Sequence, residues 1–292
     1  MTAPPRMQVV RSRQALRRCV RAWRRAGLRV AFVPTMGSLH EGHLSLLRRA
    51  RRLGDRVVLS IFVNPTQFSP REDFGAYPRN LPRDLRLARG VPVDLCFTPP
   101  VEAMYAQDSR TEVRVTGLDR VLEGSTRPAH FAGVALVVLK LLHLVEPDLL
   151  ILGQKDAQQA LILERMVRDL DVPVKVVRGP TVRERDGLAM SSRNAFLSPE
   201  DRAAAAALWR SLRRARDLVR SGERRSSRVL AAVRAELAQE PRIRLDYAAA
   251  VDARTLEPLT RLEGRVLFPL AAYLGRTRLI DNLEIHVPGG RR

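Results

Sequence analysis

His40 and His43 bracket Glu41 and Gly42 inside the segment PTMGSLHEGH, residues 34–43. Two imidazoles three residues apart at the start of a helix reach one side of its first turn. Unpaired backbone N–H groups and the positive end of the helix dipole favour a phosphate there. The plainer use of either ring is to cap the helix or pack in a core. A zinc site fits less well, because the helical pair that works with a glutamate base is His-Glu-x-x-His and these two are closer. Three more segments combine polar types that a mere chain reversal does not need. FVNPTQF, residues 62–68, carries Asn64 and Gln67, and GQKDAQQ, residues 153–159, carries Lys155, Asp156 and Gln159. Lys155 and Asp156 place a cation and a ribose-binding carboxylate at a strand end; as a surface pair they would contribute about 0–1 kcal/mol. GSTRPAHFAG, residues 124–133, either caps a buried helix or offers Arg127 to a carboxylate. MSSRN, residues 190–194, is either a Ser/Asn turn leading to the Ser198-Pro199 helix start or a segment that closes over a triphosphate.

These segments need elements that aim them at one place. Leu28 to Pro34 reads as a strand, and Glu41 to Leu53 as a helix through the spacing of Leu44, Leu47 and Leu53. Val57 to Val63 and Val93 to Phe97 repeat the strand signal. Ala132 to Leu144 reads as a buried helix, Leu149 to Leu152 as a strand, Ala157 to Asp169 as an amphipathic helix and Val172 to Val177 as a strand. Strands alternating with helices imply right-handed crossovers and a largely parallel sheet, an α/β fold. In such a sheet ligands bind beyond the carboxyl ends of the strands, near the point where strand order reverses, and three of the polar segments follow strands. After Pro180 the pattern changes to an alanine-rich helix from Pro199 to Val219, a helix over Ser226 to Ala238, and strands over Leu245 to Val251 and Val266 to Tyr273. Residues 1–180 are therefore expected as one domain and 181–292 as a smaller α+β domain.

Composition narrows the classes. The 292 residues carry a net charge of +20, yet only Lys140, Lys155 and Lys175 are lysines and the arginines are scattered in short groups. With 5% aromatic residues and no stacking motif among the basic groups, a solvated arginine surface is expected rather than a nucleic-acid stripe. Neither a secretory signal nor an apolar membrane span is expected, and Cys19 and Cys96 cannot form a disulfide framework or a metal-ligand pair, which points to the cytoplasm. There is no Gly-x-x-x-x-Gly-Lys-Ser/Thr loop and no Gly-x-Gly-x-x-Gly fingerprint, so P-loop kinases and dinucleotide dehydrogenases lose support.

Taken in order, PTMGSLHEGH, FVNPTQF, RPAHFAGV, GQKDAQQ and MSSRN resemble the pantothenate synthetases, a family within the nucleotidyltransferase superfamily that carries the HIGH-type motif. The resemblance covers roughly residues 30–200. It implies ATP-dependent activation of pantoate as its adenylate, transfer to β-alanine, a Rossmann-like first domain, a second domain acting as a lid, Mg²⁺ with ATP, and a homodimer. Carried over by position, it implies catalytic roles for His40, His43 and Lys155. The ATP contacts would be Met36, His40, His43, Gly153, Lys155, Asp156, Val182, Ser191, Ser192 and Arg193. Pantoate contacts would be Gln67, Gln159, Asn64 and Tyr77, and Arg127 would meet the β-alanine carboxylate; metal ligands are unassigned. Two other readings stand beside it: a superfamily enzyme that adenylylates a phosphorylated acceptor, supported by the first motif alone, and a basic RNA-binding protein, supported by the charge.

Overall fold

A computed structural model describes residues 7–68, 74, 75 and 77–288, which fall into two compact units. The first takes the chain to Gln154 and resumes from Gln158 to Pro180; the second takes Lys155–Ala157 and continues from Thr181.

The first unit is built on a six-stranded parallel sheet of β1 (Gln8–Val10), β2 (Val30–Thr35), β3 (Arg56–Ile61), β4 (Leu95–Phe97), β5 (Leu149–Gly153) and β6 (Lys175–Gly179). Its helices are α1 (Arg13–Arg25), α2 (Glu41–Leu53), α3 (Leu81–Arg89), α4 (Val101–Met104), α5 (Glu123–Thr126), α6 (His130–Val145) and α7 (Ala157–Asp169). The order is β1-β4-β3-β2-β5-β6, so the chain moves outward from β2 in one direction and later returns beside β2 to move in the other. The reversal lies between β2 and β5, which makes their carboxyl ends the crevice of this sheet. Strands buried on both faces read as continuous apolar runs, and Val30, Ala31, Phe32 and Val33 are all fully buried. Ala31, Val33, Leu47, Val57, Leu59, Leu149 and Ile151 share one cluster. Each Val, Leu or Ile side chain among them contributes about 1.5–3 kcal/mol when taken from water. The opposite edge is fixed by carboxylates: Asp148 accepts from the Val30 amide at 2.7 Å, and Asp94 from the Val57 amide at 2.7 Å while pairing with Arg51 and Arg56.

The second unit has an antiparallel sheet of β7 (Ile243–Ala248), β8 (Val251–Asp252), β9 (Gly264–Leu274) and β10 (Thr277–Val287), with α8 (Pro199–Ala204), α9 (Ala206–Arg220) and α10 (Ser226–Ala238). Leu208, Leu212, Val229, Val233, Phe268 and Leu270 form its core. The single strand expected over Leu245 to Val251 is two. Pro269 of central β9 accepts from the Ala249 amide at 3.1 Å on the side where β7 has ended and β8 not begun, so its missing N–H leaves no broken ladder bond. The alanine-rich helix is likewise two, parted at Ala205, and β6 begins at Lys175 rather than at Val172. Six of these strands and helices go unread in the sequence: β1, α1, α3, α4, α5 and β10.

Candidate active site

The loop after β2 turns through Gly37 at φ 81° and Ser38 at φ 50°. Asp84, 1% exposed in the first turn of α3, accepts from the Ser38 and Leu39 amides at 2.8 Å each. A Cβ on Gly37 would stand 2.8 Å from its Oδ2, so glycine is required both for the backbone angle and for the approach of this carboxylate. Asp84 does not stand out in the sequence, where it reads as an ordinary acid near a helix start.

The loop delivers His40 to the N-cap of α2. His40 Nδ1 accepts from the Gly42 amide at 3.2 Å, and His43 Nδ1 accepts from the His40 amide at 3.4 Å. The rings lie 4.1 Å apart. A nitrogen that accepts from a backbone N–H carries no proton, so in both neutral rings the proton sits on Nε2. The helix-cap use and the anion-binding use are thus compatible: Nδ1 serves the backbone and Nε2–H is a donor.

Beyond β3, Asn64 is 1% exposed and holds a 3-10 turn over Pro65–Gln67. Its Nδ2 donates to Gln67 Oε1 at 3.0 Å and to the Gly133 carbonyl at 3.1 Å. Its Oδ1 accepts from the Thr66 hydroxyl at 3.0 Å and from the Tyr105 hydroxyl at 2.7 Å. Burial pushes the Tyr105 phenol above its ordinary pKa, which keeps it a proton donor. With Oε1 so held, Gln67 directs Nε2 to Met36 Sδ at 3.0 Å, joining this turn to the β2 loop. Tyr77 packs edge-on against Phe68 with centroids 5.7 Å apart.

The start of α6 closes on the same turn. A Cβ on Gly133 would come within 2.3 Å of the Thr66 carbonyl oxygen, so the helix meets the turn backbone to backbone. His130, the first residue of α6, has Nδ1 2.9 Å from the Gln67 carbonyl oxygen and Nε2 3.1 Å from Arg127 Nη1. Met36, Asn64, Gln67 and Arg127 are therefore one connected group, and its connector, His130, lies in the motif RPAHFAGV without a role assigned from the sequence. Gln158 and Gln159, alike in sequence, part company: Gln158 is buried and binds the Leu118 and Val121 carbonyls and the Glu123 amide, whereas Gln159 is half-buried. Gly153 ends β5 beside the strand reversal.

In the second unit, Lys155 and Asp156 form a 3-10 turn with Nζ 3.4 Å from Asp156 Oδ1, and Asn282 donates to the Lys155 carbonyl at 2.8 Å. Neighbouring Asp281 is clamped by Arg183 at 2.6 and 3.0 Å; burial pushes its carboxyl up and Arg183 opposes the shift. Val182 accepts from the Met190 amide at 3.0 Å at the neck of a turn. Ser191 caps the following 3-10 segment by accepting from the Arg193 amide at 3.2 Å, and Asn194 is tied to Glu184 and the Ala189 carbonyl. Ser192 and Arg193 lie between these anchors, half-buried.

Polar side chains held by neutral hydrogen bonds at the end of a parallel sheet suit binding and alignment of an anionic substrate. The family model described as pantoate-beta-alanine ligase matches residues 8–284. A pantothenate synthetase of Moorella thermoacetica is 52% identical over 281 residues, 96% of this chain and 99% of that one. The crystal structure of pantothenate synthetase from Thermus thermophilus superposes with a TM-score of 0.90 at 46% identity, covering 96% of this chain and 100% of that one. A pantoate-beta-alanine ligase from Francisella tularensis, solved with beta-gamma ATP and β-alanine, gives 0.78 at 31% identity over 95% of this chain and 97% of that one.

Proposed function

The chain belongs to the pantoate–β-alanine ligase family, and from that membership we infer how its own residues divide the work of the reaction. It condenses pantoate with β-alanine at the expense of ATP. A carboxylate acylates poorly because its leaving group would be oxide. A pantoate carboxylate oxygen therefore attacks the α-phosphorus, the bond to the bridging oxygen breaks and pyrophosphate leaves. The neutral amine of β-alanine then attacks the acyl carbon, the bond to AMP breaks, and the nitrogen loses a proton.

The observation that carries the residue assignment is the hydrogen-bonded group running from Met36 through Gln67 to Arg127. Gln67 takes pantoate: a thioether is a weak acceptor, so a hydroxyl or carboxylate replaces Met36 Sδ at Nε2 at little cost. Asn64 orients Gln67, and Gln159 and Tyr77 complete the pantoate side. Arg127 takes the β-alanine carboxylate. The Nε2–H groups of His40 and His43 and the Lys155 ammonium meet charge that builds on the phosphates. Met36, Gly153, Asp156, Val182, Ser191, Ser192 and Arg193 hold the rest of ATP. Among the described residues no three His, Cys, Asp or Glu side chains gather as a metal cage, which suits a Mg²⁺ brought by the ATP phosphates themselves. Bound there, Mg²⁺ would neutralise phosphate charge.

The proposal further assigns residues 1–180 the binding of ATP and pantoate, and the remainder the role of a lid that keeps water from the adenylate. It takes the enzyme as a cytoplasmic homodimer, for which light scattering at twice the chain mass is the check. Among the described residues no helix is long and apolar enough to cross a membrane.

Measuring AMP release from ATP with pantoate and β-alanine, each omitted in turn, tests the reaction: all three must be required. Lys155→Ala tests the assignment. Pantoate-dependent exchange of pyrophosphate into ATP, without β-alanine, should fall about 10²–10³-fold while the circular dichroism is unchanged. Exchange near wild type with ligation lost would move Lys155 to the amine-transfer step.

A further inference from the structure

The group that joins Gln67 to Arg127 has a centre to which the reaction as assigned gives no task. His130 touches both neighbours through different nitrogens, and the chemistry of those neighbours fixes its state. The Gln67 carbonyl oxygen can only accept, so Nδ1 carries the proton and donates at 2.9 Å. The Arg127 guanidinium can only donate, so Nε2 is bare and accepts at 3.1 Å. The ring is therefore neutral, with the tautomer opposite to that of His40 and His43. It is also held in place: it opens α6, which Gly133 seats on the Thr66 carbonyl, and it lies edge-on to Phe131 with centroids 5.0 Å apart.

We propose that His130 is a positioning residue for both substrates: its donor fixes the backbone of Gln67 and its acceptor fixes Arg127, so that the group holding pantoate and the group holding the β-alanine carboxylate keep one set relation. This rests on the assignment of those two residues above. A donor at the δ position and an acceptor at the ε position of one rigid neutral plane is what imidazole supplies among the side chains. The consequence is that attack of the amine on the acyl carbon occurs between partners already aligned, where small misplacements cost rate.

The two nitrogens can be removed one at a time. In His130→Asn the amide nitrogen takes the place of Nδ1 and the Gln67 bond survives while the acceptor that His130 Nε2 offers Arg127 is lost. In His130→Gln the amide oxygen reaches the place of Nε2 and Arg127 keeps an acceptor while the Gln67 bond is lost. Exchange of pyrophosphate into ATP without β-alanine reads the pantoate side, and KM for β-alanine in full ligation reads the other. We expect His130→Asn to leave the pantoate KM within about threefold and raise the β-alanine KM about tenfold or more, and His130→Gln to do the reverse. Equal changes in both constants for both variants, tracking a common fall in thermal midpoint, would reduce His130 to packing and overturn the proposal. So would wild-type constants in both variants while Arg127→Ala and Gln67→Ala each impair their own substrate. If Arg127→Ala leaves the β-alanine KM unchanged and Gln67→Ala leaves the pantoate KM unchanged, the underlying assignment is what fails, and the inference falls with it.

Discussion

The loop over residues 36–43 and the turn over residues 64–67 sit at the ends of adjacent strands, yet they are held by different means. The loop hangs from one ion: Asp84 accepts two amides, and the histidines then cap α2 through their own Nδ1 atoms. The turn is held by a chain of neutral groups, from Tyr105 through Asn64 to Gln67 and on to His130. An ionic anchor fixes backbone and leaves the side chains it presents exchangeable. A neutral network fixes the side chains themselves, so that altering one member re-aims the next.

That contrast can be broken at three strengths. Gly133→Ala drives a methyl into the Thr66 carbonyl, a backbone atom that cannot swing aside, and should cost about 4 kcal/mol or more with loss of ligation. A denaturant midpoint close to wild type would show that α6 slides easily over the turn and that the network is less rigid than described. Asp84→Asn comes next. One amide oxygen can keep one N–H, but the amide nitrogen now faces the other donor, so we expect a loss of about 3 kcal/mol, read as a thermal midpoint lower by roughly 6–12 °C. If Asp84→Asn is neutral, the loop is held by its own turn and not by the ion. The smallest effect on stability belongs to His40→Asn, because asparagine is a strong N-cap and restores the bond to the Gly42 amide. The fold should change by less than about 0.5 kcal/mol, while pyrophosphate exchange falls about tenfold or more for want of Nε2–H. Equal retention of both would make His40 a cap and nothing else.

What can be read from the sequence follows the same division. The boundaries of α2, α7 and α10 coincide with those expected from the sequence, since amphipathic periods are local signals. The runs of β2, β3 and β5 are legible because both faces are buried. Helix α1 is not, because RQALRRCVRAWRR buries just Leu16 and Val20 and its arginines mask the period. The alternation of β10 is interrupted by buried Asp281 and Asn282, which exist for partners far away in sequence, Arg183 and the Lys155 carbonyl. The polar segments stand out by composition, and their assignment comes from resemblance. Asp84 and His130 do not stand out as individuals. An acid in the first turn of α3 and a histidine at the start of a buried helix have ordinary local explanations, and the loop amides that Asp84 holds and the Gln67 carbonyl that His130 meets lie 45 or more residues away.

The placement of β2 has a consequence for how the chain is made. One edge of β2 pairs with β3, which follows directly, but the other pairs Ala31 with Leu149 and Phe32 with Leu150. A ribosome adding about 5–20 residues per second needs roughly 6–24 s to supply that second neighbour. During that interval a fully apolar strand, Val30 to Val33, offers an open row of backbone donors and acceptors to any other nascent chain. Slowing synthesis between the codons for residues 60 and 150 should therefore lower soluble yield, and a chaperone that shields extended apolar segments should recover it, with the mature enzyme unaltered in either case.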